Sequence, residues 1–61
     1  MWIMVLYWEP DCWEVQTYRD REQALLAWQI GRFRDPRWGE LRFGDIGTNQ
    51  TNLVERFRDK P

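Results

Sequence analysis

The chain has 61 residues, with five tryptophans, one cysteine, no histidine and a net charge of −1 from nine basic and ten acidic residues. This length allows one small domain, the lone Cys12 cannot form an intramolecular disulfide, and the lack of histidine removes the usual zinc sites. The near-neutral charge favours neither a nucleic-acid footprint nor an acidic mimic of nucleic acid. We therefore expect a single domain over 1–61 with no cofactor and no metal.

The first segment, MWIMVLYW, carries no charged side chain. It is too short for a membrane span, which needs about 20 residues, and no basic stretch precedes it as in a secretory signal. A strand with one wet face alternates apolar and polar residues, whereas this segment does not alternate. We therefore expect a central strand, covered on both faces, in a cytoplasmic protein.

A turn at 10–11, Pro-Asp, predicts a hairpin into a second strand over 13–18, where the side chains alternate. An even-length loop centred on this turn places Trp8 opposite Trp13, whereas a loop of odd length would exchange the two faces. In that register Trp13 and Val15 lie on the inner face of the sheet with the even-numbered residues of the first strand, while Glu14 lies on the outer face.

A helix is expected from Arg21 to Phe33 or Arg34. Asp20 resembles an N-cap with Gln23 completing a capping box, and the Asp-Pro pair at 35–36 ends the helix. Two adjacent helix stripes are expected to pack on the sheet. One stripe is Ala24, Ala27, Trp28 and Gly31, and the other is Leu26, Ile30 and Phe33.

A third strand is predicted over 40–44 and a short C-terminal helix over 53–58, with Asn52 as N-cap and an apolar stripe of Leu53, Val54 and Phe57. The predicted fold class is α+β. It has a three-stranded antiparallel sheet of order 2-1-3, one main helix on one face, and the order ββαβ followed by the short helix.

No catalytic activity is expected. Cys12 has acidic rather than basic neighbours in the sequence, which do not activate a thiol, and without histidine acid-base chemistry falls to carboxylates around an exposed turn. The glycines match no phosphate-binding fingerprint. A solvated hairpin tip explains this region better than an active site does.

The second face of the predicted sheet is more apolar than contact with water allows, so either the C-terminal helix or another molecule should cover it. A partner could be a second copy, giving a homodimer through this back face, or a foreign protein. Arginine and tryptophan near the helix end are typical interface anchors. The candidate partner-binding residues are Ile3, Val5, Tyr7, Tyr18, Trp28, Arg32, Arg34, Arg37 and Trp38.

The leading hypothesis is a small cytoplasmic protein-interaction module. Its narrower version is an inhibitory accessory protein of the phage or mobile-element type, which occludes a partner's surface. The alternative is a small nucleic-acid-binding domain that uses the Arg/Trp cluster at 32–38. This alternative is less favoured, because acidic residues interleave with the arginines and Glu14 is predicted on the same face as Tyr7 and Tyr18.

Overall fold

The computed structural model describes residues 1–10, 12–45, 47–48 and 50–58. Its elements are β1 (Trp2–Glu9), β2 (Cys12–Tyr18), α1 (Arg21–Phe33), β3 (Trp38–Asp45) and β4 (Gln50–Arg58). The strands form one antiparallel sheet of order β2-β1-β3-β4, with α1 packed on one side. We call that side the helix face and the other side the back face.

The predicted three-stranded fold with a C-terminal helix is wrong, because the last segment is a fourth strand. β4 pairs with β3 along its length, and a bulge between Leu41 and Arg42 leaves Val54 without a partner in the register. A segment of nine residues is too short to hold a helix without tertiary support, whereas pairing with β3 satisfies its backbone. The C-terminal segment therefore extends the sheet and does not fold over the back face.

The predicted hairpin register is also wrong along most of its length. Glu9 pairs with Cys12, as a two-residue loop requires, although Asp11 of the predicted turn lies outside the described residues. A bulge at Trp8 then shifts the pairing, so that Tyr7 rather than Trp8 lies opposite Trp13. Because strand side chains alternate with a period of two, this one extra residue moves every β2 side chain to the other face.

The helix has its predicted bounds and buries the first of its two predicted stripes, but the second stripe does not pack on the sheet. The chain enters α1 from extended backbone at Asp20, whose side chain makes no capping hydrogen bond, and leaves it through Asp35 at φ 61°. The buried stripe is Ala24, Trp28 and Gly31. The second predicted stripe lies on the opposite side of the helix, at 100° per residue, and is exposed. Its members are Leu26, Ile30 and Phe33, the last 89% exposed.

Small residues explain which side of the helix is buried. A Cβ atom at Gly31 would lie 2.8 Å from Leu6 Cδ1, and one at Gly39 of β3 would lie 3.2 Å from the ring of Trp28. These two glycines let the helix lie close to the sheet and leave room for the indole. The core that results joins β1, β3 and α1. Its buried members are Met4, Leu6, Ala24, Trp28 and Leu41.

We expect Gly39→Ala to lower the free energy of unfolding by about 1–3 kcal/mol, because the added methyl group meets a rigid indole inside a packed core. Urea denaturation followed by circular dichroism measures this loss. Gly47→Ala is the control, since Gly47 is exposed and, among the described residues, only the Asp45 carboxylate lies near its added methyl group. Equal losses in the two variants would contradict the close packing of Trp28 on Gly39.

Candidate functional site

Three aromatic side chains form a row across one end of the back face. Tyr7 of β1 lies between Trp13 of β2 and Trp38 of β3 in the strand register. The Tyr7 and Trp13 rings are 4.6 Å apart at 54°, and the Trp13 and Trp38 rings are 6.3 Å apart at 76°. These tilted contacts hold the three rings, which we call the aromatic row, as one rigid cluster.

Aliphatic side chains continue the apolar surface beside the aromatic row. Val15 pairs with Val5 in the next row of the sheet, and Ile3 follows in the row after that. Trp13 is 59% exposed and Val15 57% exposed, whereas Ile3 is buried between its neighbours. No element of the described chain packs over the back face. The exposed apolar residues therefore form one continuous patch across β2 and β1 that no described element covers.

A buried carboxylate organises the β3–β4 side of the back face. Glu40 is 6% exposed and accepts a hydrogen bond of 2.6 Å from Arg42 Nε and one of 2.9 Å from Arg56 Nη2. Burial by itself raises the pKa of Glu40, but these hydrogen bonds and the two positive charges outweigh burial and lower the pKa below its ordinary value. The charged carboxylate of Glu40 therefore holds the guanidinium groups of Arg42 and Arg56 on the back face.

Arg34 lies on the helix face and joins the end of α1 to the β1–β2 hairpin. Its Nη1 atom donates to both carboxylate oxygens of Glu14, at 3.0 and 2.9 Å, and its guanidinium lies 4.7 Å from the centre of the Trp8 ring. The Trp8 indole N–H donates to the Arg34 carbonyl oxygen at 3.1 Å. The prediction that Glu14 lies on the back face is wrong, since the bulge at Trp8 moves it to the helix face.

The remaining members of the 32–38 cluster point to different surfaces. Arg32 lies 5.1 Å from the centre of the Phe57 ring and 3.7 Å from a Glu55 oxygen on the helix face. Arg37 is exposed, and its backbone N–H donates to the Tyr7 carbonyl oxygen. Trp38 belongs to the aromatic row on the back face. The structure therefore does not bring these residues together as one basic patch.

The predicted partner-binding residues divide among the core and both faces. Trp28, at 2% exposed, fills the core, and Tyr18 packs against that core from the helix face. Only Ile3, Val5, Tyr7 and Trp38 share the back face. Sequence reasoning did not propose five residues of this face as partner-binding, namely Trp13, Val15, Glu40, Leu53 and Arg56. The alternation in 13–18 had placed Trp13 and Val15 on a common face, but on the inner one.

Two further features lie on the helix side. Leu26 and Phe33 of the exposed stripe face away from the sheet, whereas its third member, Ile30, borders a groove of about 230 Å³ between α1 and β2. Residues lining this groove include Gln16, Ile30 and Arg34. Neither feature gathers a nucleophile with a base, and no cluster of three metal-ligating side chains occurs among the described residues.

No family model matches the chain, and no curated protein or solved structure is significantly similar to it. No helix within the described ranges is long and apolar enough to cross a membrane.

We expect Glu40→Gln to cost about 1–3 kcal/mol of unfolding free energy at pH 7, because it weakens two charge-assisted hydrogen bonds. Folding lowers the pKa of Glu40, so its contribution is complete above the ordinary value of 4.5 and is lost as the pH falls through the folded pKa. The difference between wild type and variant should therefore shrink from pH 7 to pH 3 in urea denaturation.

Glu55→Gln provides the control, because both side chains of the Glu55–Arg32 ion pair are exposed to solvent. Such pairs contribute about 0–1 kcal/mol, so this variant should change stability little at either pH. A Glu40→Gln variant as stable as wild type at pH 7 would show that Glu40 does not organise this part of the sheet.

Proposed function

We propose that the chain is a small protein-interaction module that binds another protein through the back face of its sheet. The observation that carries the proposal is the exposure of Trp13 and Val15, each more than half exposed, beside the aromatic row. Large aromatic side chains held rigid by their neighbours bind a partner at low entropic cost and are typical interaction hot spots. Binding another protein also requires no catalytic group.

Charge and ring geometry favour a protein over a nucleic acid as the partner. Of the three arginines that the described strands place on the back face, Arg42 and Arg56 are bound to Glu40, which reduces the positive charge available to phosphates. Rings that stack on successive bases lie roughly parallel to one another, whereas the rings of the aromatic row are inclined to one another by 54° and 76°. Both features fit an apolar protein surface better.

The proposal places the module in the cytoplasm, as the sequence leads us to expect. Inhibition by occlusion of a partner's surface, as accessory proteins of phage and mobile elements achieve it, stays a hypothesis within the proposal. Inhibition by occlusion requires that the bound module cover a surface that the partner uses for its own function. Identifying the partner tests this hypothesis.

Photo-crosslinking from defined positions in intact cells tests the proposal. A photoreactive amino acid replaces Val15 in one variant and Gln16 in the other, so that neighbouring residues of β2 sample the back face and the helix face. Both positions are exposed and both variants carry the same chemical group. We expect a discrete protein adduct from position 15 and none from position 16.

Two other results would overturn the proposal. Adducts that nuclease treatment destroys, together with oligonucleotide binding that strengthens steeply as salt falls, would favour the nucleic-acid alternative. Equal labelling from positions 15 and 16, or none from either, would show that the back face does not bind a specific protein.

A further inference from the structure

We infer that the partner on the back face is a second copy of this chain, so that two sheets pack face to face in a homodimer. This inference rests on the proposed function, because it uses the same surface and names its occupant. The apolar patch includes Trp13, Val15 and the half-buried Val5, and stacked sheets about 10 Å apart would remove these side chains from water. The reason to choose a second copy lies in the size of the face and the distribution of its charges.

The back face is large enough for a dimer only if the whole sheet takes part. Four strands about 4.8 Å apart, with seven to nine residues each at about 3.3 Å per residue, give a footprint of about 500 Å². Two copies would bury about 1,000 Å² in total, which is the lower limit for a specific interface. Full overlap of the two sheets is therefore required, with the two-fold axis near the middle of the sheet between β1 and β3.

The two halves of the back face differ in chemistry. The β2–β1 half carries exposed apolar side chains, while the β3–β4 half carries Arg42, Arg56 and Arg58 against the single acid Glu40. A two-fold axis along the strands places β4 of one copy over β2 of the other. Arg58 then lies over the ring of the second copy's Trp13, where a guanidinium is attracted to the indole face.

An axis across the strands would give a less favourable dimer. It would place β4 over β4, which gathers the arginines of both copies along one edge of the interface. Like charges brought together in this way repel and weaken the association. Charge therefore selects the arrangement in which the apolar half of each sheet meets the arginine half of the other.

Sedimentation equilibrium of the purified chain from about 1 µM to about 1 mM measures the association. Wild type should form a dimer, and Val15→Lys should weaken that dimer at least tenfold by placing a lysine in the apolar patch. Gln16→Lys is the matched control, since it adds the same charge to the same strand on the helix face. We expect this control to associate as wild type does.

A second pair of variants probes the other half of the interface. Leu53 lies on the back face opposite Arg42, and Asn52 lies on the helix face beside it. Leu53→Lys should therefore weaken the dimer and Asn52→Lys should not. Circular dichroism melts of all four variants identify any that unfold, so that loss of association is assigned only to folded protein.

Photo-crosslinking of the purified protein from position 15 tests the orientation. Because β4 of one copy should cover β2 of the other, the adduct should map to the segment 53–58 of the second copy. An adduct within 12–18 would overturn the arrangement along the strands. A wild-type chain that stays monomeric to about 1 mM would overturn the homodimer, whereas a foreign-protein adduct from position 15 in cells would still support the proposed function.

Discussion

The central strand β1 needs cover on both faces, and the described part of the chain has a single helix with which to cover it. α1 covers the helix face because two glycines, Gly31 and Gly39, let it lie close enough for Trp28 to reach across to β3. Among the described residues, the other face of β1 has only neighbouring strands beside it. Ile3 is buried by them, but the edge residues Trp13 and Val15 have no such neighbours on their outer side. The apolar patch on the back face is exposed because no element of the described chain packs over it.

Two bulges determine what that patch contains. The bulge at Trp8 moves Trp13 and Val15 to the back face and moves Glu14 to the helix face, where it binds Arg34. The bulge in the β3–β4 pairing leaves Leu53 on the back face opposite Arg42. Without the bulge at Trp8, Trp13 would lie under α1 and the Glu14 carboxylate would lie on the back face near Tyr7. Each bulge therefore changes both packing and surface chemistry.

The two faces of the sheet carry different ion pairs. Arg34 binds Glu14 on the helix face and ties the end of α1 to the hairpin, whereas Glu40 binds two arginines on the back face. The burial of Glu40 is tolerated because its carboxylate accepts hydrogen bonds from both guanidinium groups. The result is a back face with an apolar half and an arginine half. This division is the basis for pairing each half with the opposite half of a second copy.

The sequence by itself determined the features that depend on local chemistry. The apolar run in β1 indicated a central strand, and the pattern around 20–36 placed α1 at its observed bounds, because helix ends and unbroken apolar runs are local signals. Tertiary structure alone decided the faces of β2, the exposure of the second apolar stripe of α1 and the strand at the C-terminus. A single bulged residue moves the side chains that follow it to the opposite face of the strand. The spacing of the apolar residues at 53–57 fits a short helix, but pairing with β3 makes this segment a strand. The candidate site was therefore only half predictable, since its most exposed residues depend on a register that the turn alone does not set.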